Sequence, residues 1–526
     1  MGTVKIKFDE RAIDAICRDL DQLHLPGAAV GISLGGATVY AKGFGLASME
    51  LPTLLSPSIR MRIYSTSKHF TCLAYLLFCE EGRAEIDDPI GKYLPALHPV
   101  TRSITMRQLM SHTSGLRDAC DIRWFFSGID KTVPARDLVG LYRHMQDVNF
   151  APDEDWCYNN GGYHILSAVI EKLADAPLEE VLSRRIFQPV GMHDTLLRRV
   201  DTNFVPNSAS MHMTALGGGY ERKYLPGELL GEGGIVSTVN DMLRWLKHMA
   251  NPVVGTPETW ALMSTSHRLR NGGETGYGLG LFRRPYRSFD TISHGGGGLG
   301  NSSQMIRVPA AGLDVVAIVN RHDVNAAELA GRILDACLDI KPTVPRVAIA
   351  CAAGLFQSPT TGRVIWLHSK ENAQVAFIDG AECPMEVDEI GVLRPLPWSL
   401  WNYSLRLLAS PSRPDGLRCE FWGRPDELQP VSSTQSTTLE SLAGEYVADS
   451  IGVRLTVRGQ GLSGELETVG QFGSKAYRLE SLGQRLWKFG ATDATAWSGI
   501  IAACPGRKAI FFRTWGTLQV LFRCVS

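Results

Sequence analysis

The stretch that decides the fold is residues 61–68, Met-Arg-Ile-Tyr-Ser-Thr-Ser-Lys, which immediately precedes a long apolar run. After Lys68, apolar residues recur at helical spacing: Phe70, Leu73, Ala74, Leu77 and Phe78. Gly82 then predicts the end of the helix. We therefore expect Ser65 in the first turn of a buried helix, with Lys68 three residues later on the same face.

This Ser-x-x-Lys pair can carry nucleophilic chemistry. The N-terminus of a helix offers unpaired backbone N–H groups and partial positive charge, which can meet a developing oxyanion. A lysine one turn after the serine can take the serine's proton. Ser65 and Lys68 form the only Ser-x-x-Lys pattern in 526 residues. The alternative is a surface serine and a surface lysine on an amphipathic helix, and the motif alone does not exclude it.

Composition excludes several classes of protein. With 44% hydrophobic and 20% charged residues the chain is typical of a soluble globular protein. Its net charge of −1, without a long basic run, argues against a nucleic-acid partner. The longest uncharged apolar run, 71–79, is too short to span a membrane, and the first residues lack the apolar core of a signal peptide. We therefore expect no membrane partner and a cytoplasmic location.

Cysteine and histidine usage predicts no metal site. The 11 cysteines include no Cys-x-x-Cys pair, and several lie inside apolar runs. This pattern favours reduced, buried thiols. The 13 histidines show no metal-binding spacing such as His-Glu-x-x-His. The sequence therefore predicts neither a metal nor an organic cofactor.

Two further stretches carry chemically useful side chains. Tyr158 and Asn160 lie just before the helical periodicity of residues 163–173, so we expect them in a loop. A tyrosine near an ammonium group has its phenolate form favoured and can act as a base. The alternative is a tyrosine that packs its ring while Asn160 caps the helix. His294 precedes four glycines, which let a ligand approach the backbone closely, although a lone histidine there is usually structural or exposed.

The composition changes at residues 341–345, after which short alternating runs predict β structure. The pattern Ala-Gly-Leu-Phe at 353–356, with Gly362, is echoed 90 residues later by Ala-Gly-Glu-Tyr at 443–446, with Gly452. Residues 430–436 between the two halves read as a linker. The echo predicts two small antiparallel β-barrels. The expected domains are therefore 1–338, 345–430 and 439–526.

The motifs S-T-S-K, H-T-S-G-L, Y-N-N, Y-G-L-G-L and H-G-G, in this order, resemble the class C β-lactamase and DD-peptidase superfamily. Ser65 and Lys68 match its first motif, Tyr158 and Asn160 its Tyr-x-Asn motif, and residues 294–296 its third motif. The third motif has His294 where many relatives have lysine. The resemblance covers residues 1 to about 338. It implies an antiparallel sheet flanked by helices, together with a helical cluster.

The whole layout, with two barrels after this domain, looks like the bacterial D-stereospecific aminopeptidases. Those enzymes release D-residues from the N-termini of peptides, amides and esters. In that family a loop of the last domain reaches towards the catalytic cleft, and residues 470–478 look like the matching stretch. Lys475 and Arg478 in this stretch carry positive charge, so near the site they should favour a carboxylate over a free ammonium.

We therefore expect acyl transfer through Ser65, with Lys68 and Tyr158 as a coupled proton-transfer pair. Backbone N–H groups of Ser65 and Gly297 would hold the oxyanion, and His294 would donate to the tetrahedral intermediate or leaving group. The expected catalytic set is Ser65, Lys68, Tyr158 and His294, and the expected substrate-binding set is Asn160, Gly296, Gly297 and Lys475.

The sequence leaves alternatives open. They are an esterase or D-amino-acid amidase of the same superfamily, and a penicillin-binding protein that acylates without turnover. The expected partner is a small peptide, amide or ester substrate, and a homodimer is left open.

Overall fold

The computed structural model describes residues 6–128, 131–215, 217–340, 353–370, 373–388, 392–396, 399, 405–413, 415–432, 437–491, 498–504, 509–514, 516 and 518–525. Within these ranges no helix is long and apolar enough to cross a membrane. The predicted domain boundary at 345 and part of the predicted linker, 433–436, lie outside the described residues.

A six-stranded antiparallel sheet organises the first part of the chain. Its strands are β1 (Ala28–Leu34), β2 (Ala37–Phe44), β3 (Phe282–Tyr286), β4 (Phe289–Gly298), β5 (Asn301–Val308) and β6 (Leu313–Val319). They lie in the order β3-β4-β5-β6-β1-β2, so β1 pairs with β6, the last strand of the sheet along the chain, and β2 forms an edge. The central strand β6 is buried along its whole length, because both faces of the sheet are covered.

Within the described residues, seven helices of eight or more residues pack on this sheet or in the helical cluster beside it. They are α1 (Glu10–Cys17), α2 (Lys68–Glu80), α3 (Ala119–Ser127), α4 (Asn160–Ala174), α5 (Val239–Ala250), α6 (Pro257–Ser264) and α7 (Ala326–Cys337). Apolar residues of α1 and α7 pack on one face of the sheet. On the other face α5 joins a larger core that includes α2, α3 and α4. The site therefore lies between the sheet and a helical cluster.

Shorter elements connect these parts. The short helices are Ile90–Tyr93, Pro99–Arg102, Met106–Met110, Ala135–Leu141, Leu178–Leu182 and Gln188–Val190, with tighter or wider turns at Arg18–Leu20, Tyr64–Ser67, Ser183–Phe187, Pro309–Ala311 and Leu439–Ser441. The short strands are Leu46–Ser48, Thr53–Leu54, Met61–Arg62, Leu196–Leu197, Met213–Thr214, Tyr220–Glu221 and Ile235–Ser237. Met61–Arg62 pairs with Ile235–Ser237, which anchors the segment leading into Ser65.

Two closed eight-stranded antiparallel barrels follow. The first contains β7 (Gly354–Gln357), β8 (Val364–Lys370), β9 (Ala373–Ile378), β10 (Ala381–Val387), β11 (Leu393–Pro395), β12 (Arg406–Ala409), β13 (Leu417–Phe421) and β14 (Arg424–Pro430). The second contains β15 (Gly444–Ala448), β16 (Val453–Gln460), β17 (Ser463–Gly470), β18 (Gly473–Gly483), β19 (Leu486–Ala491), β20 (Ser498–Ala503), β21 (Ala509–Arg513) and β22 (Val520–Cys524).

The echo at a 90-residue offset has a structural cause. Gly362 and Gly452 each lie in the turn after the first strand of a barrel, with φ of 67° and 66°. Non-glycine residues rarely adopt this left-handed conformation, so the same hairpin turn imposes the same residue twice. The predicted fold, a β-lactamase-like domain followed by two antiparallel barrels, is confirmed.

Three local predictions need correction. The helical periodicity of residues 9–25 predicts one amphipathic helix, but the first helix ends at Cys17 and is followed by one tight turn. The stretch Tyr-Gly-Leu-Gly-Leu at 277–281 predicts a strand, but β3 begins only at Phe282. Asn160 is the first residue of α4 rather than part of the preceding loop, because Asn159 is the cap and accepts a hydrogen bond from Gly162 N.

Candidate active site

Ser65 lies in the tight turn Tyr64–Ser67 that leads directly into α2. It is half-buried, whereas its neighbours in the turn are buried, so its side chain is the one the turn presents to solvent. Tyr64 has φ of 45°, an uncommon conformation for a non-glycine residue. Strand β5 supports the turn, since the Ser303 hydroxyl donates to Ile63 O at 2.7 Å. The nucleophile candidate is therefore held rigidly at the head of a buried helix.

Lys68 is completely buried, and its ammonium group donates three hydrogen bonds. Nζ donates to Ser65 Oγ at 3.2 Å, to Asn160 Oδ1 at 2.7 Å and to the backbone carbonyl of Glu232 at 2.8 Å. Burial lowers the pKa of Lys68 to about 7, although the nearby carboxylates of Glu232 and Asp118 oppose the shift. A substantial fraction of Lys68 is therefore neutral near neutral pH and able to accept a proton from Ser65.

Asn160 is placed by a carboxylate that sequence reasoning missed. Asp118 is buried, and its oxygens accept hydrogen bonds from Asn160 N at 2.7 Å and Gly161 N at 2.8 Å. Asp118 also caps α3 by accepting from Cys120 N at 2.8 Å. One side chain thus fixes the starts of both α3 and α4. A signal existed in the sequence, because Asp118 directly precedes a helix, but its partner lies 42 residues further along the chain.

Tyr158 is buried beside the nucleophile. Its hydroxyl hydrogen-bonds the Ser65 side chain, and Lys68 Nζ lies 4.6 Å from the centroid of its ring. The ring of His112 packs against it with centroids 4.3 Å apart. Burial raises the pKa of Tyr158, and the hydrogen bond from Ser65 only partly offsets this. The direction is opposite to the sequence-based expectation, which favoured the phenolate.

Both ring nitrogens of His294 are engaged. Nδ1 lies 2.6 Å from the carbonyl oxygen of Gly295, which can only accept, so Nδ1 carries the proton. Nε2 then accepts from the Tyr277 hydroxyl at 3.0 Å. Burial, with a contribution from Lys68, lowers the pKa of His294 to about 3, so the ring is neutral. The predicted donation from His294 to a substrate would require one of these bonds to break.

The glycines after His294 let strand β4 pack closely against the turn that carries Ser65. Close approach of a ligand is therefore not their only role. A Cβ atom on Gly296 would lie 2.0 Å from Ile63 O, and one on Gly298 would lie 2.3 Å from the Tyr64 ring. Strand β4 can therefore pass the turn only because these residues lack side chains. A Cβ atom on Gly297 would meet no atom within 4 Å, so this residue faces open space.

Two cavities meet at Ser65. The smaller, of about 70 Å³, lies between α3, residues 225–233 and α4. The larger, of about 420 Å³, runs along β4 and β5 and includes His294 and Gly296. The lining residues that both cavities share are Ser65, Trp124, Asn160 and Gly297. Both cavities can therefore be reached from Ser65.

Lys475, predicted from the sequence to bind substrate, lines neither cavity. It lies half-buried on β18, and its backbone carbonyl accepts from the Thr468 hydroxyl at 3.1 Å. The β17–β18 hairpin instead packs on the C-terminal end of α3, where Phe472 N donates to Ser127 Oγ at 3.3 Å. The hairpin thus contacts the helix that carries Trp124, one layer away from Ser65.

Comparison with known proteins identifies the family to which this geometry belongs. The family model described as Beta-lactamase matches residues 12–338. The chain belongs to the Beta-lactamase family. The D-aminopeptidase of Brucella anthropi is 28% identical over 364 residues, which cover 67% of each chain. Penicillin-binding protein 4* of Bacillus subtilis is 28% identical over 313 residues, 56% of this chain and 68% of that protein.

Solved structures show the same fold. The octameric penicillin-binding protein homologue from Pyrococcus abyssi is 21% identical with a TM-score of 0.60, and the match covers 80% of this chain and all of that one. D-amino acid amidase from Ochrobactrum anthropi SV3, complexed with L-phenylalanine amide, is 25% identical with a TM-score of 0.53, over 62% of this chain and 97% of that one. The family predicted from the sequence motifs is confirmed.

Proposed function

We propose that the protein is a serine hydrolase that forms an acyl-enzyme at Ser65 and releases N-terminal D-amino acids from peptides, amides and esters. The observation that carries the proposal is the bond from Lys68 Nζ to Ser65 Oγ at the point where two cavities meet. Similarity to the D-aminopeptidase of Brucella anthropi supports the substrate class.

In the proposed mechanism neutral Lys68 takes the proton of Ser65 as Oγ attacks the substrate carbonyl. The Oγ–C bond forms, and the C–N bond to the leaving amine then breaks. The proton reaches the leaving amine from Lys68, with the Tyr158 hydroxyl placed beside Ser65 to relay it. Water then attacks the ester carbonyl, and the Oγ–C bond breaks as the proton returns to Ser65. The free amino acid leaves.

Substrate orientation would rest on three groups around Ser65. Backbone N–H groups of Ser65 and Gly297 would stabilise the oxyanion, because both residues line both cavities. Asn160 already accepts from Lys68 through Oδ1, which leaves its amide N–H₂ to bind the acyl side of the substrate. His294 would hold Tyr277 and the Gly295 carbonyl in place, which keeps strand β4 against the Ser65 turn.

Ser65→Ala tests the proposal directly. We expect turnover of D-aminoacyl p-nitroanilides to fall by about 10⁴–10⁶-fold, and covalent labelling by a serine-directed phosphonate to disappear. Ser67→Ala in the same turn is the matched control, and it should keep the labelling although it loses the bond from Ile235 N. A cleanly purified Ser65→Ala protein that retains more than a few per cent of activity would refute the nucleophile assignment.

A second function is favoured by the similarity to penicillin-binding protein 4* of Bacillus subtilis. On this alternative Ser65 is acylated by β-lactams and the acyl-enzyme persists. Mass spectrometry after mixing with a penicillin separates the two. A stable adduct without hydrolysis of any D-aminoacyl amide or ester favours the binding protein, whereas turnover of the D-aminoacyl panel favours the hydrolase. Comparing anilide with ester leaving groups separates an aminopeptidase or amidase from an esterase.

A further inference from the structure

The two cavities at Ser65 differ in the length of chain they can hold. The larger one is open and extends along strands β4 and β5, so it suits a leaving group that continues as a peptide. The smaller one, hereafter the small cavity, has a volume of about 70 Å³, against about 420 Å³ for the larger one. It is therefore the cavity that limits the size of a bound residue, which favours a short side chain. In an aminopeptidase the terminal residue is the acyl group, so the small cavity is its natural place.

An arginine that forms no ion pair with any described residue lines the small cavity. Arg123 on α3 is only 3% exposed. Its Nη2 donates to the backbone carbonyls of Lys131, at 2.8 Å, and Pro226. Among the described residues its Nε has no hydrogen-bond partner, and none of their carboxylates forms an ion pair with it. A buried guanidinium normally pairs with an anion, because an uncompensated buried charge is costly.

A carboxylate lines the same cavity and is also without an ion pair among the described residues. Glu228 is half-buried, and Oε2 accepts a hydrogen bond from Ala135 N at 2.8 Å. Glu232, the other carboxylate of the lining, already has partners within the protein. Its oxygens accept hydrogen bonds from Leu230 N, and Oε1 lies 3.3 Å from His164 Nε2. Glu228 therefore remains to receive a positive group from a ligand.

We infer that the small cavity selects an N-terminal residue with a short acidic side chain, such as aspartate. Arg123 receives the side-chain carboxylate and Glu228 receives the free ammonium group. The inference rests on the proposed function, and it names the substrate class of the same site. It needs no new reaction step, because the acidic residue is the acyl group that Ser65 attacks. A neutral isostere would leave the Arg123 guanidinium unpaired, which is the physical basis of the selectivity.

The wild-type protein gives the first test, with a panel of D-Asp, D-Asn and D-Ala p-nitroanilides. D-Asp and D-Asn differ in charge but hardly in shape, so their kcat/KM ratio isolates the side-chain carboxylate. We expect D-Asp to be preferred by about tenfold or more. A ratio of one or below would overturn the inference. This measurement needs no variant and is independent of any folding defect.

Two variants then assign the charges. Arg123→Gln should bring the D-Asp to D-Asn ratio close to one, and Arg123→Lys should give an intermediate ratio, because lysine keeps the charge but not the planar fork. Glu228→Gln should reduce the preference for free-amine over N-acetylated D-Ala p-nitroanilide by about tenfold. Arg136→Gln is the matched control, since Arg136 is 86% exposed in its side chain and lines neither cavity, and it should change neither ratio.

The outcomes separate this inference from the proposed function. Turnover of D-Ala p-nitroanilide without a preference for D-Asp would overturn the inference and leave the hydrolase in place. No turnover of any D-aminoacyl substrate, together with no labelling of Ser65, would overturn both. If the preference for D-Asp persists in folded Arg123→Gln protein, another group binds the side-chain carboxylate. That result would overturn the assignment to Arg123.

Discussion

The acylation centre, formed by Ser65, Lys68, Tyr158 and Asn160, and the two barrels differ in which parts of the molecule they contact. The centre is built entirely within the Beta-lactamase domain, where Lys68 Nζ donates to three oxygens of that domain. The barrels touch the same domain one layer further out. Trp422 of the first barrel packs on Trp156, two residues before Tyr158, with ring centroids 5.3 Å apart. Tyr477 of the second barrel donates through its hydroxyl to Phe125 O at 2.8 Å.

The two barrels therefore support different parts of the site, although they share a topology and a turn. The first lies behind the segment that carries Tyr158. The second lies behind α3, which contributes Arg123 and Trp124 to the cavity linings. If this contrast is right, changes at the centre should abolish chemistry, changes at the first barrel should lower the chemical rate, and changes at the second should act weakly, through substrate choice.

After loss of the nucleophile itself, Tyr158→Phe should have the largest effect. It keeps the ring beside His112 and removes only the hydroxyl that contacts Ser65. We expect kcat to fall by roughly 10²–10⁴-fold, as for loss of a proton-transfer group. Thermal unfolding should be measured in parallel. If the variant is less stable but its folded fraction retains the wild-type rate, Tyr158 has a packing role and its hydroxyl does not belong to the centre.

The pH dependence should be the next largest effect. Lys68 must be neutral to accept the proton from Ser65, and its pKa is lowered to about 7 by burial. The rate constant kcat/KM should therefore rise about tenfold per pH unit below pH 7 and level off above it. His294 should contribute no step between pH 5 and 8, because its pKa is about 3. A step that vanishes in His294→Lys would contradict the neutral state of the wild-type ring.

The chain-local part of this site could be predicted from the sequence, and the long-range part could not. Ser65 and Lys68 are three residues apart on a helix whose apolar spacing is visible, so their proximity follows from helical geometry. The link from Asp118 to Asn160 joins segments that only the tertiary fold brings together. Nothing in the sequence shows that Arg123 is buried, or that no carboxylate of the described residues pairs with it.

The pKa of Tyr158 shows the same limit. The sequence indicates a nearby lysine, which alone would lower the pKa of the phenol. Only the fold shows that the hydroxyl is buried, and burial raises the pKa more than its neighbours lower it. His294 is similar, because its engagement with Tyr277 depends on a contact across the sheet edge. Residue types at this site were predictable, whereas protonation states depended on burial.

Trp422→Ala should sharpen the contrast between the barrels. Loss of its ring removes the packing behind Trp156, so the segment that carries Tyr158 gains freedom. We expect kcat to fall about threefold to tenfold with little change in KM, because a small misplacement of a catalytic group slows the chemical step. Trp366→Ala is the matched control. Trp366 packs on His368 and on an apolar cluster formed by both barrels, away from Ser65, so its loss should lower stability and leave kcat unchanged.

Lys475→Glu should have the smallest effect. From the sequence alone this lysine was expected to favour carboxylate substrates, but it lies on β18 and lines neither cavity. Because Lys475 lies outside both cavities, its charge acts on the substrate only through solvent, where salt screens it. The Debye length is about 8 Å at physiological ionic strength. We expect the ratio of free-amine to N-acetylated D-Ala p-nitroanilide turnover to change less than about twofold, and to converge with wild type as salt rises from about 0.05 to 0.5 M.

Glu228→Gln, measured beside it, should change the same ratio about tenfold. A larger effect from Lys475→Glu than from Glu228→Gln would break the contrast between centre and barrels, because it would mean that the hairpin enters the cleft when substrate binds and that the second barrel belongs to the centre.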